Sequence, residues 1–212
     1  MELDGKQVVI TGAGGGLGGA VREAFEAAGA TCHAPGHAAL ELTDEAAVTA
    51  WFAARPPLWA SIHLAGGFAS SPALDTPLAA LREQLDLNLT SAFLCSREAA
   101  RNMRAHGGGG RIVNVTSRVA LVPAGGMIAY SISKAAVVMA TQALAKELEG
   151  AGILVNAVAP SIIDTPANRK SMPKANHGNW PKPEEIAQAI LWLASPRNLL
   201  TSGAIVPVYG KA

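Results

Sequence analysis

The sequence predicts an α/β fold, a single doubly wound domain over residues 1–212 with a mostly parallel sheet flanked by helices. Three observations point there. Short β-branched runs alternate with longer helical stretches almost from end to end, the pattern of a parallel sheet covered on both faces. A glycine-rich turn, TGAGGGLG (11–18), joins the first strand directly to the first helix. No internal repeat, low-complexity tract or long linker divides the 212 residues, a length that buries a real core.

The elements follow in order. KQVVIT (6–11) reads as a buried strand, and GGAVREAFEAAG (18–29) as an amphipathic helix stopped by Gly29. ATCHA (30–34) is a second strand and LEL (40–42) a short third. A helix starts at Thr43, with Asp44 and Glu45 in its first turn complementing the helix dipole. ASIHLAG (60–66) is the next strand, followed by a long helix over 78–105 that ends at the GGGG of 107–110. RIVNVTS (111–117) is a strand, 124–149 a helix and ILVNAVAP (153–160) another strand. A polar, proline-rich segment covers 164–182; a helix at 183–194 and the strand GAIVPV close the chain.

Composition narrows the function. Half the residues are hydrophobic and 5% aromatic, so aliphatic side chains do the packing. The 22 glycines and 13 prolines fall mostly between periodic segments, where they act as punctuation. Seventeen basic and 16 acidic residues nearly cancel, and no like-charge block reaches five. Nucleic acid and anionic membrane are therefore not expected as partners. Apolar runs are broken by charge before membrane-spanning length. Cys32 and Cys95 suggest no disulfide framework, and KQVVITG reads as a strand and not a signal peptide; a cytoplasmic protein is expected. No metal site is expected: His33 and His37 are four apart, but Pro35 denies them a shared helix.

The glycine turn carries the first functional signal. A strand, a glycine-rich turn and a helix N-terminus let backbone approach a pyrophosphate and meet it with N–H donors and positive dipole. Gly12, Gly16 and Gly18 have T-G-x-x-x-G-x-G spacing, and a side chain at Gly18 would block close packing. The reading is a Rossmann-type dinucleotide site.

The second signal is YSISK. Tyr130 and Lys134 are four apart and share one helix face, while Ser117 ends a strand thirteen residues before the tyrosine. Residues at strand carboxyl ends and in the helix that follows line the ligand crevice, so the three can converge. A carbonyl under reduction needs a polarising hydrogen bond and an acid for the developing alkoxide. Ser117 supplies the first and Tyr130 the second. Bringing a tyrosine from a pKa of about 10 to neutrality takes about 4 kcal/mol. An ammonium about 4 Å away at an effective dielectric of about 20 provides about 4 kcal/mol. Lys134 is thus expected to lower the tyrosine's pKa.

These residues resemble the short-chain dehydrogenase/reductase family over nearly the whole chain: TGAGGGLG, the AG of HLAGG, LNLTSAF, IVNVTS, YSISK, VNAVAP and TSGAIVPV. The resemblance implies an NAD(P)-dependent oxidoreductase acting on a small carbonyl or alcohol. It implies Ser117, Tyr130 and Lys134 as catalytic, Asn88 holding a water in a proton relay to Lys134, and Lys134 bridging the ribose hydroxyls. Along the cofactor it places Thr11, Gly12, Gly14, Gly16, Leu17 and Gly18, then Glu41, Leu42, Ala65, Gly66 and Pro160. The backbone of Ile163 and Thr165 would hold the nicotinamide carboxamide. Homodimers or homotetramers are implied, and the helices at 78–105 and 124–149 carry more apolar residues than one buried face needs.

A narrower resemblance joins DTPANRKSMPKANHGNW (164–180), LAGGFA and GGMIAYSISK to the quinonoid dihydropteridine reductases, short members of the same family. Those enzymes lack a serine at the position of Ser117, which pulls this chain toward carbonyl and alcohol substrates. A third reading is a dinucleotide-binding regulator without turnover; such proteins usually lose the tyrosine or the lysine, and both remain here.

Other departures set further expectations. His63 and Leu64 stand where the family has two asparagines, and His63 reads as a satisfied interior residue. Ser161 replaces a glycine beneath the nicotinamide. Gly36, followed by His37, occupies the position where an acid would receive the adenosine ribose, so weak discrimination with a slight lean to NADP is expected. Gly36 to Leu40 is too short for the usual crossover helix. His177 and Trp180 fall in a segment where an aromatic would either cover a flat substrate or simply pack.

Overall fold

The computed structural model describes residues 1–211. Six parallel strands form one sheet in the order β2-β1-β3-β4-β5-β6: β1 (Gln7–Thr11), β2 (Thr31–His33), β3 (Ala60–His63), β4 (Gly110–Val115), β5 (Ile153–Pro160) and β6 (Ile205–Val208). Strand side chains alternate faces, and β1 shows both. Val8 and Ile10 point into one core with Val21 and Phe25 of α1 (Gly18–Ala27) and Ile186 and Ile190 of α7 (Pro183–Ala194). Val9 points the other way, into a core with Phe52 of α2 (Glu45–Ala53) and Leu94, Cys95 and Met103 of α4 (Ser91–Ala105). The sheet is therefore covered twice.

Four local expectations need correction. Residues 40–42 form no strand. The Glu41 carboxylate accepts hydrogen bonds from the Thr43 amide (3.1 Å) and hydroxyl (2.8 Å), a local turn that competes with a ladder. With no strand there and no helix between β2 and residue 40, the edge beyond β2 stays open. The helix from Thr43 instead starts at Glu45, with Asp44 as its cap accepting from the Ala47 amide at 3.0 Å.

The long helix over 78–105 is not uniform either. It runs as α3 (Leu78–Leu85), a π-helical turn Asp86–Thr90, then α4. Such a turn inserts a residue and re-aims a side chain, and the side chain here is Asn88. The helix expected over 124–149 begins only at Ile128; α5 (Ile128–Glu147) is preceded by Gly126 at φ 78°, which no helix accommodates. By length and composition α5 is apolar enough to cross a membrane, yet its buried face carries Ser133, Lys134 and Thr141 against the sheet. The 164–182 segment holds a short helix, α6 (Pro166–Ser171), capped by Thr165.

Candidate active site

The carboxyl ends of β1, β3, β4 and β5 lie in register, with Thr11 beside His63, His63 beside Asn114, and Val115 beside Val158. The candidate residues lie at these strand ends, in the loops that leave them and in the helices that follow. They open on a cleft of about 480 Å³ lined by Gly12, Gly14, Gly15, Gly36, His37, Glu41, Leu42, Ala65 and Gly66 among others. Leu87 and Ser91 of the π-turn region also line it, as do Pro35 and Leu64. None of these four was expected along the cofactor, although Leu87 and Ser91 lie in LNLTSAF and Leu64 in HLAGG.

The glycine turn fits a dinucleotide. Gly12 has φ 74°, and a Cβ there would overlap the Ala65 backbone nitrogen. A Cβ on Gly18 would overlap the Ala13 backbone, so this glycine keeps the helix start close to its own turn as much as to the strand. At Gly16 a Cβ would come within 2.8 Å of the Thr165 methyl, which brings the turn and the segment after β5 together. Gly14 has nothing within 4 Å. Helix α1 begins without a side-chain cap or an acidic residue in its first turn, leaving its positive end for an anion. Leu17 at that end is buried in the core, and Thr11 is buried with its hydroxyl unpartnered.

Tyr130, Lys134, Ser117 and Asn88 converge. Burial pushes the Tyr130 phenol above its ordinary value, and a hydrogen bond with Ser117 acts against that rise. Lys134 is buried and donates its ammonium to the Val115 carbonyl at 3.0 Å. Desolvation brings its pKa down to about 8. The phenol thus stands above its ordinary value and not near neutrality as expected, because its desolvation dominates; the Lys134 ammonium lies 6.0 Å from the ring centroid.

Asn88 is clamped. Its Oδ1 accepts from the Gly67 amide at 3.0 Å, and its Nδ2 donates to the Gly67 carbonyl and to Ser133 Oγ, each at 3.0 Å. Ser133 in turn donates to the Tyr130 carbonyl at 2.8 Å, tying the π turn to the tyrosine's helix. A Cβ on Gly66 would lie 2.5 Å from Asn88 Oδ1 and 3.2 Å from Lys134 Nζ, so only glycine leaves those two groups open to each other.

The remaining candidates are placed as follows. Thr165 caps α6 through Oγ1, which accepts from the Asn168 amide at 3.2 Å, and the Ile163 carbonyl accepts from the Thr165 amide and Asn168 Nδ2, each at 2.8 Å. Pro160 is buried at the end of β5; Ser161 donates its hydroxyl to the Tyr209 carbonyl at 2.8 Å and so binds the altered turn to the chain's end. His63 is an interior residue, hydrogen-bonded at 2.8 Å to both Ser61 and Asn114. Trp180 is packed: it is 8% exposed and stacked on His177 with ring centroids 4.6 Å apart.

Comparison with known proteins identifies the family. A family model described as enoyl-(acyl carrier protein) reductase matches residues 1–210. The chain is 32% identical over 235 aligned positions to cis-4-hydroxycyclohexanecarboxylate dehydrogenase of Sinomonas cyclohexanicum, spanning 95% of this chain and 94% of that one. It is 34% identical over 243 positions to galactitol 2-dehydrogenase (L-tagatose-forming) of Cereibacter sphaeroides, spanning 99% and 95%. Both alignments exceed the 212 residues of this chain, so these relatives carry segments that it lacks. A Beutenbergia cavernae protein assigned as an NAD(P)-dependent gluconate 5-dehydrogenase, solved with NADP, superposes with a TM-score of 0.90 at 29% identity, covering 99% of this chain and 97% of that one. A Mycobacterium ulcerans short-chain type dehydrogenase/reductase shares the fold, with a TM-score of 0.92 at 23% identity over 100% of this chain and 90% of that one. On the matched family model, the full-length relatives and the shared sheet, this chain belongs to the short-chain dehydrogenase/reductase family and is an NAD(P)-dependent oxidoreductase.

Proposed function

We propose that the protein interconverts a small secondary alcohol and its carbonyl, with Tyr130 as the acid–base group. The observation that carries this is the convergence of Ser117 on the Tyr130 phenol, whose rise in pKa it opposes, one helical turn from the buried Lys134. NAD(P)H, when bound, supplies the hydride, and its oxidised form accepts one.

In the reducing direction the substrate oxygen accepts hydrogen bonds from Ser117 and Tyr130. As the carbonyl carbon gains hydride, the phenol O–H breaks and its proton forms the alcohol O–H, leaving Tyr130 a phenolate. Lys134, with its pKa brought to about 8, is suited to return that proton. Asn88 holds the Gly67 backbone and, through a water beside Lys134, extends the proton path; the open approach between the two at Gly66 supports this role. Thr165 and the backbone at Ile163 would hold the carboxamide end of the cofactor, and Lys134 its ribose.

The adenosine end supports weak discrimination with a lean to NADP(H). No acid follows β2 at Gly36, and the one carboxylate in the cleft, Glu41, is taken up by the Thr43 amide and hydroxyl. Self-association as a homodimer or homotetramer is also proposed: Phe93 of α4 and Ile132 and Met139 of α5 are apolar side chains left 41%, 43% and 65% exposed on the two helices. A monomer mass by light scattering at micromolar concentration would end that part.

The test is a fluorescence titration with NADPH and NADH, followed by a turnover screen over aldehydes, ketones and quinonoid dihydropterin. Cofactor binding with turnover of carbonyls is expected. Cofactor binding with turnover of no carbonyl overturns the reading.

A further inference from the structure

Phe68 is a large apolar side chain left 63% exposed beside the reacting group. Its ring meets the Tyr130 ring edge to face, with centroids 5.0 Å apart and planes at 78°. An aromatic on an exposed loop usually turns inward; this one is held outward.

The holding is specific. Gly67, the residue before it, has both backbone groups fixed by Asn88. Two residues after it, Ser70 donates to the Gly126 carbonyl at 2.7 Å, and Ser71 bridges to Met127 at the entry of α5. The loop that carries Phe68 is thereby fastened to the π turn on one side and to the tyrosine's helix on the other. The backbone beneath Phe68 is thus ordered before a ligand arrives, which lowers the ordering cost when one packs on the ring.

The neighbouring loops match it in chemistry. Leu121 and Val122, after β4, are 39% and 50% exposed, and Ile162, after β5, is 42% exposed. Across 67–74, 117–128 and 160–163 the only charged residue is Arg118, whose guanidinium is stacked over the Tyr209 ring at 5.1 Å. A polyol would bury hydroxyls against these surfaces without partners. An apolar ring would not.

We propose that Phe68 is a specificity-determining residue that forms an apolar wall beside Tyr130 and selects alcohols and carbonyls borne on an apolar ring over open-chain polyols. This rests on the alcohol–carbonyl reading above. A ring held on Phe68 presents its exocyclic or ring carbonyl oxygen to the Ser117 and Tyr130 hydroxyls.

The test compares cyclohexanone with dihydroxyacetone as substrates of the wild-type protein, Phe68→Ala and Phe68→Tyr. In parallel, saturation-transfer NMR follows cyclohexanol binding to the protein–NADPH complex. The wild type should favour cyclohexanone, and Phe68→Ala should lower the ratio of the two kcat/KM values about tenfold or more, chiefly through KM for cyclohexanone. Phe68→Tyr, which keeps the ring, should restore the ratio, and the cyclohexanol signal should be lost only in the alanine variant. A wild-type preference for dihydroxyacetone overturns the proposal. So does an equal loss on both ketones with a displaced pH profile, which would make Phe68 a positioning residue for Tyr130. If NADPH binds but neither ketone turns over, the alcohol–carbonyl reading fails while the cyclohexanol comparison still decides the role of Phe68.

Discussion

The Lys134 ammonium stands 6.0 Å from the centre of the Tyr130 ring and spends its hydrogen bond on the Val115 carbonyl. The two residues thus share a helix face without touching through their polar atoms. Tyr130→Phe removes only the hydroxyl, so folding and dinucleotide binding should survive while turnover falls about a thousandfold or more. Retention of most activity on an identified substrate would make the pair structural. Ser117→Ala separates substrate classes: about 2.7 kcal/mol or more should be lost on a carbonyl, and little on a quinonoid pterin. Steady-state kinetics on both substrates checks it.

Lys134 also costs stability. Its pKa is lowered by burial from 10.5 to about 8, so between those values the unfolded chain binds more protons than the folded one. Wild-type stability should therefore gain on raising the pH from 8 to 10.5, by about 3 kcal/mol from this group. Below pH 8 the charged amine is a constant penalty. Lys134→Met keeps the length and removes the charge. It should be more stable than wild type at pH 7, by about 3 kcal/mol less the about 1 kcal/mol of the Val115 hydrogen bond, and inactive. Urea unfolding at pH 7 and pH 10 measures the difference, and a variant less stable than wild type at pH 7 contradicts the assignment.

How much of this was legible in the sequence depends on which interaction decides each feature. QVVIT declares β1 because its alternation and branching are local, and YSISK places its pair because four residues make one turn. The turn at 40–42 was hidden because a single side chain, Glu41, diverts three residues from a ladder. The π turn was hidden because Asn88 is held by Gly67 and Ser133, partners 21 and 45 residues away. The acidity of Tyr130 was misjudged for the same kind of reason: pair spacing is visible in sequence, desolvation is not. Phe68 carried no periodic signal at all, and its place beside Tyr130 comes from a loop pinned to Gly126 and Met127.

At the adenosine end Glu41 and His37 lie 3.8 Å apart. Glu41→Gln removes the one carboxylate lining the cleft while keeping the shape of the Thr43 turn, so a 2′-phosphate should be better received. Because both groups are exposed and screened, the shift toward NADPH should be small, about two- to fivefold in the Kd ratio. Fluorescence titration of both cofactors gives the ratio. A wild-type preference for NADH above about a hundredfold would contradict the proposed lean.

His63 should make the protein acid-sensitive. The imidazole is 3% exposed, and burial pushes its pKa from 6.5 to about 4. Its neutral form fits the network: with Nδ1 protonated it donates to the Asn114 carbonyl oxygen, and Nε2 accepts from the Ser61 hydroxyl. Because the folded pKa lies below the unfolded one, the unfolded chain binds more protons between pH 6.5 and 4. Stability falls through that window as the pH drops, by about 3 kcal/mol once pH 4 is passed. His63→Asn keeps an amide able to reach Asn114 and removes the titration. It leaves the Ser61 hydroxyl without its acceptor, which should cost about 1–3 kcal/mol at pH 7. The two stability curves should therefore converge as the pH falls from 7 to 4, the variant's being the flatter. Urea midpoints taken across that range decide it; parallel curves would mean that His63 is not the group that titrates.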